Sequence, residues 1–121
     1  MASTTDAERP HAGTITCATC DFHAVITEPN DAIERYRRHR SVTGHDIKWE
    51  RTALDAGLDT DDVESALDAL GDEYPDGVPL GVLTAALSEQ EVTIEATLDA
   101  IYDLRMAGAI YEPRDDHVLV V

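Results

Sequence analysis

Cys17-Ala-Thr-Cys20, then 18 residues, then His39-Arg-Ser-Val-Thr-Gly-His45 is the stretch on which the fold of the first half turns. Two thiols and two imidazoles in this order are the ligands of a closed tetrahedral zinc site. Thiolate sulfur and neutral imidazole nitrogen both suit a borderline-soft ion that has no geometric preference of its own. Cys-x2-Cys is the spacing of a metal knuckle, whereas the long gap exceeds that of the commonest fingers and the His spacing sits at the edge of the usual range. The predicted Zn(2+) ligands are therefore Cys17, Cys20, His39 and His45. A redox Cys-x-x-Cys is the other reading of the thiol pair, and it leaves the placement of both histidines without a reason.

The residues around these ligands predict a small ββα unit over residues 13–51. Thr14-Ile-Thr16 and Phe22-His-Ala-Val-Ile-Thr27 are β-favouring runs on either side of the knuckle, which suits a hairpin. Glu28-Pro-Asn30 breaks it. Asp31, followed three residues later by Glu34, predicts the start of a helix as a variant capping box, and Gly44 its end. On that helix Ile33 and Tyr36 share a face with His39, and Arg35 and Arg38 point outward. Asp46-Ile-Lys-Trp-Glu50 alternates polar and apolar residues, so Ile47 and Trp49 are expected in a strand that closes over the hairpin. About forty residues bury too little surface to fold alone, and bound zinc, worth on the order of 10–16 kcal/mol in such peptides, supplies what is missing. His23, a strand residue, is expected to face solvent, and His11 falls in a leader, residues 1–12, that carries no apolar periodicity. The closing Arg40-Ser-Val-Thr-Gly-His-Asp46 resembles the small two-Cys two-His fingers of haloarchaeal proteins, over about residues 17–51.

The charge is extreme: 25 acidic against 9 basic residues give −16. A surface so coated with carboxylates stays hydrated in concentrated salt, which points to a halophilic cytoplasm. The chain has no apolar run of membrane-spanning length and no signal-peptide core at its start, so a cytoplasmic protein without a membrane is expected. The charge is also uneven: residues 1–51 hold 8 acids and 7 bases, and residues 52–121 hold 17 acids and 2 bases. That step marks a boundary, with residues 52–59 as the joint.

Beyond the joint, Asp59 or Thr60 is expected to cap a helix with Val63, Ala66, Leu67 and Leu70 inward. Tyr74-Pro-Asp-Gly77 is a turn and Val78-Pro-Leu80 a short extended piece. A second helix follows to Leu87, with Val82, Leu83, Ala86 and Leu87 on one face. Thr93 caps a third to about Ala107, with Ile94, Leu98, Ile101 and Leu104 inward. Ala109-Ile-Tyr-Glu112 and Val118-Leu-Val-Val121 then bracket a hairpin. Three helices and a hairpin are the order of a winged helix, so the expected fold is α+β: a ββα zinc finger joined to a winged helix over residues 60–121. Asp72-Glu-Tyr-Pro-Asp-Gly-Val-Pro-Leu80 and Gly108-Ala-Ile-Tyr-Glu-Pro-Arg114 are similar to the C-terminal winged-helix domain of archaeal minichromosome maintenance helicases. The resemblance implies a replication-associated or regulatory module. It does not extend to an ATPase, because the chain has no phosphate-binding Gly-x4-Gly-Lys loop.

In a winged helix the third helix usually enters the major groove. Here its outer stripe is Glu95, Asp99 and Asp103, and 14 acids and no base lie between Arg51 and Arg105, so phosphate would meet carboxylate. Arg35, Arg37, Arg38, Arg40, Lys48 and Arg51, with Tyr36 and Trp49 interleaved, are the better nucleic-acid candidates, since they combine phosphate neutralisation with base stacking. Pairing of these arginines with the acidic half is the competing account. The carboxylates at helical spacing, such as Glu64, Asp68 and Asp72, are expected on solvated faces, and four metal ligands leave no open catalytic position. The expected protein is thus non-enzymatic, without a small-molecule substrate. Its finger touches DNA and its acidic winged helix touches a protein partner; the alternative is a pure protein-interaction adaptor without nucleic-acid binding.

Overall fold

The structure, a computed structural model, describes residues 12–52 and 57–121, and the backbone alone of Arg51. Most of the expected leader, residues 1–11 with His11, and the middle of the expected joint, residues 53–56, lie outside the described residues. The first half contains strands β1 (Gly13–Thr16) and β2 (His23–Ile26), helix α1 (Pro29–Thr43) and strand β3 (Lys48–Thr52). The second half contains α2 (Val63–Gly71), β4 (Val78–Pro79), α3 (Leu80–Ser88), α4 (Ile94–Met106), β5 (Ile110–Arg114) and β6 (His117–Val120). The fold is mixed α+β, with two small antiparallel sheets of order β2-β1-β3 and β4-β6-β5. Among the described residues no helix is long and apolar enough to cross a membrane.

The first sheet follows from alternation. Ile15 lies opposite Ala24 on one side and Trp49 on the other, so all three share the face that α1 covers. A register shift between Thr14 and Ile15 leaves Glu50 as the extra, exposed residue of β3 and keeps Trp49 inward. Helix α1 starts earlier than its capping-box pattern suggests. Its N-cap is Glu28, without a side-chain bond, and Pro29 takes the first helical position, where a missing N–H costs nothing and φ is already helical. Asp31 therefore sits in the first turn, where its charge complements the helix dipole. At the other end Gly44, with φ of 75°, donates its N–H to the Arg40 carbonyl, the left-handed cap that glycine adopts without strain.

In the second half Asp62, rather than Asp59 or Thr60, caps α2: its carboxylate accepts from the Ser65 N–H at 2.9 Å and from the Ser65 hydroxyl at 2.8 Å. Those hydrogen bonds hold the Asp62 carboxyl below its ordinary range. Thr60 serves the cap from outside by accepting from the Asp62 N–H. Thr93 caps α4 as expected, accepting from the Ala96 N–H at 3.0 Å. The expectation for α3 needs correction. Every residue from Leu80 to Leu87 is buried, not one face of them.

The cause is the first half of the chain, which lies on α3. Ile33 of α1 belongs to the core of the second half, and Ala85 and Ile94 belong to the core of the first. Gly81 meets α1 so closely that a Cβ there would overlap the Pro29 carbonyl. Asn30 locks the crossing: its Oδ1 accepts from the Gly81 N–H at 2.7 Å and its Nδ2 donates to the Asp116 carbonyl at 3.1 Å. The Trp49 indole N–H donates to Thr84 Oγ1 at 3.1 Å, and that hydroxyl donates to the Gly81 carbonyl. Among the described residues, two sheets and four helices thus pack about the crossing of α1 and α3.

Candidate metal centre

The four predicted ligands are placed by three local devices. The knuckle between β1 and β2 is closed by the Cys17 N–H donating to the Phe22 carbonyl at 3.1 Å. Inside the turn the Thr19 N–H donates to Cys17 Sγ at 3.4 Å. His39 rides on α1, on which its imidazole packs against the Phe22 ring with centroids 4.8 Å apart. His45 is returned to the cluster by the helix end. After Gly44 reverses the backbone, Thr43 Oγ1 donates to the His39 carbonyl at 2.6 Å and accepts from the His45 N–H at 3.0 Å.

The result is a cluster in which one ligand atom from each of Cys17, Cys20, His39 and His45 lies within 4.8 Å of the others. Cys20 Sγ and His39 Nε2 are 3.5 Å apart. A tetrahedral ion with metal–sulfur and metal–nitrogen bonds of about 2.3 and 2.0–2.1 Å sets that edge at about 3.6 Å. His45 Nδ1 is buried without a hydrogen-bond partner among the described residues, a state that costs free energy unless something completes it. Both cysteines are free thiols. Burial pushes the Cys17 thiol up, but the hydrogen bonds from the Thr19 N–H, the His39 ring and the Cys20 N–H outweigh it and bring the pKa from 9.0 to about 6. A ready thiolate, a correctly spaced edge and an orphaned imidazole nitrogen together form a donor set that can bind a metal ion. His23 stays out of it: exposed, with its ring 3.3 Å from the Asp21 carbonyl.

The basic residues predicted for nucleic acid divide into three groups. Arg37 Nη1 donates to both carboxylate oxygens of Asp116, at 2.9 and 3.1 Å, and Arg40 Nη1 to Glu95 at 3.0 Å with Asp46 at 3.6 Å. Arg35, Arg38 and Lys48 are exposed and make no ion pair among the described residues. The side chain of Arg51 lies outside the described residues. The aromatic part of the expectation needs correction. Trp49 and Tyr36 are each 7% exposed and packed in the core of the first half, so neither ring presents a face to a base. The alternation of Asp46-Ile-Lys-Trp-Glu50, which puts Ile47 and Trp49 on the same strand face, is the signal that could have shown Trp49 to be buried.

Three residues that support the site carry no chemistry in the sequence pattern. Phe22 reads as a strand residue yet is the shelf for His39. Thr43 reads as a helix-end residue yet ties His39 to His45. Asn30 reads as a breaker yet joins the halves. The Thr-Gly pair just before His45 was the one available signal, since it marks where the helix must reverse.

No curated protein and no solved structure matched the chain. Two family models do match: residues 14–51 match HVO_B0008 N-terminal, and residues 68–118 match the HVO_B0008 C-terminal domain. The first match encloses all four candidate ligands, and the second runs from within α2 to β6. In the N-to-C order in which they occur, these two stretches are similar to the two HVO_B0008 domain models.

Proposed function

We propose that this chain is a zinc-dependent, non-enzymatic regulatory protein whose second half is a winged helix used for protein contact. Zinc is favoured by the chemistry of the donor set: two thiolates and two imidazoles close a tetrahedron and leave no position for a substrate. The winged-helix reading is supported by the order helix, short strand, helix, helix, hairpin, and by the sheet order β4-β6-β5, in which the hairpin's last strand pairs with the short one. Its similarity to the C-terminal domain of minichromosome maintenance helicases suggests replication or transcription machinery as the setting.

The observation that carries protein contact is the outer surface of α4. Tyr102 and Met106, four residues apart, are 64% and 72% exposed, and Asp99 and Asp103 lie along the same side. Exposed large apolar side chains rimmed by charge suit a protein interface. A helix with that stripe repels phosphate. DNA contact is a second reading, and one observation favours it: Arg35, Arg38 and Lys48 have no ion-pair partner among the described residues.

The test measures metal content by mass spectrometry on protein purified without added zinc, and binding of labelled duplex and single-stranded DNA in molar KCl. One zinc per chain, lost in Cys17→Ser, with no DNA binding, is the expected outcome. DNA binding that disappears in the combined Arg35→Glu, Arg37→Glu, Arg38→Glu variant would establish the second reading instead. A Cys17–Cys20 disulfide that cycles with reductant in metal-free protein would overturn both.

A further inference from the structure

Helix α1 has three sides. Ala32, Ile33 and Tyr36 are buried, Arg37 and Arg40 reach across to the acidic half, and Arg35, Arg38 and Val42 run along the side that is left. Along that third side lies a groove of about 300 Å³, lined by Arg35, Arg38, His39, Val42 and Thr43 of α1 and by Phe22. Val42 is 78% exposed. The groove therefore has an apolar wall, formed by Phe22 and Val42, and two guanidinium groups.

In a chain of net charge −16, Arg35 and Arg38 have carboxylates at helical pairing distance, Asp31 four residues before Arg35 and Glu34 four residues before Arg38. Neither pair forms an ion pair within 4.0 Å among the described residues. The same carboxylates line the far side of the arginines, so the local positive charge is limited to two groups. That limit decides the occupant. A nucleic acid brings one phosphate per nucleotide and meets Asp31, Glu34 and the field of the whole chain. A short peptide with one or two carboxylates beside an apolar side chain needs no more positive charge than Arg35 and Arg38 provide, and the apolar side chain matches Phe22 and Val42.

We infer that the α1 groove beside Phe22 is a docking site for an extended acidic-apolar peptide segment of a protein partner, its carboxylates held by Arg35 and Arg38. The site is on the first half and separate from the α4 surface, so each can fail without the other. Occupancy is coupled to the metal centre, because His39 is both a wall of the groove and a candidate ligand.

The probes are two fluorescein-labelled eight-residue peptides, one alternating Glu and Leu and one alternating Lys and Leu, titrated by anisotropy against the full zinc-loaded chain in molar KCl. Guanidinium–carboxylate pairs at hydrogen-bond range act within the Debye length of about 3 Å at that salt, whereas longer-range attraction does not. The Glu peptide is expected to bind and the Lys peptide not. Arg35→Glu with Arg38→Glu should weaken the Glu peptide at least about tenfold and create binding of the Lys peptide, with zinc content unchanged. Val42→Asp should weaken the Glu peptide with both arginines intact. The inference is overturned by failure of the Glu peptide to bind, by equal binding of the two peptides, or by indifference to the arginine changes. It is equally overturned if a twelve-nucleotide oligo-dT binds with the same dependence on the two arginines, which would assign the groove to nucleic acid.

Discussion

At the scale of single residues the metal centre shows how proton and metal compete for one atom. The Cys17 carries its proton less readily than a free thiol, because backbone and imidazole donors around the sulfur favour the anion more than burial disfavours it. An acid whose folded pKa is depressed contributes stability that is complete above its unfolded value, here 9.0, and that is lost as pH falls toward the folded value of about 6. Metal-free protein is therefore expected to lose thermal stability between about pH 9 and pH 6, measured as melting temperature in a chelator. Metal-loaded protein should hold its melting temperature through that window and release the ion only below it, because bound metal keeps the sulfur deprotonated. A melting temperature that is flat from pH 9 to pH 6 without metal would contradict the assignment of Cys17 as the anionic ligand. His45 depends on a neighbour in another way: Gly44 has open space around it, so a side chain there would meet no atom, yet its φ of 75° is strained for any residue with a Cβ.

At the scale of elements, most strands and helices were readable, because short-range pattern decides them: the alternation of β1 and β3, the apolar stripe of α2 and α4, and the caps at Gly44 and Thr93. The α1 start was misread for a local reason. Asp31 and Glu34 satisfy a capping pattern, and Pro29 two residues earlier satisfies a stronger one. The all-round burial of α3 was not readable, because it is imposed by a helix fifty residues away. In retrospect its signal is size: Gly81 and Ala85, one turn apart, form a small-residue track on which α1 lies. The four ligands were legible because spacing alone defines them, whereas the fate of the arginines was not, since only the crossing of α1 over α3 carries Arg37 to Asp116 and Arg40 to Glu95. The crossing can be tested directly. Gly81→Ala places a methyl group against the Pro29 backbone, which cannot rotate away, and is expected to destabilise the chain by about 1–3 kcal/mol in urea denaturation. Gly71→Ala, whose new Cβ meets only the Leu119 side chain at 3.8 Å, should cost much less and serves as the comparison.

At the scale of the whole molecule, α1 is a strut shared by the metal site and both cores. Ala32 and Tyr36 fill the core of the first half, Ile33 that of the second, and His39 carries a candidate ligand atom. The surface pairs of Arg37 and Arg40 with the acidic half contribute little individually, since exposed ion pairs are worth about 0–1 kcal/mol. The coupling between halves therefore rests on packing, on the two Asn30 hydrogen bonds and on the buried bond from Trp49 to Thr84. If the metal holds the C-terminal end of α1, removing it should loosen more than the first sheet. Trp49, the one tryptophan, reports this, because its indole is buried at the seam between the halves. Stripping the metal with a chelator in molar KCl should shift Trp49 emission to longer wavelength and lower the melting temperature of helical circular dichroism in a single step. Restoring metal at 100 times its dissociation constant should return about 2.7 kcal/mol of stability. Two separate transitions, with the helices α2 to α4 melting at an unchanged temperature, would show that the second half folds without the first and that the shared strut transmits nothing.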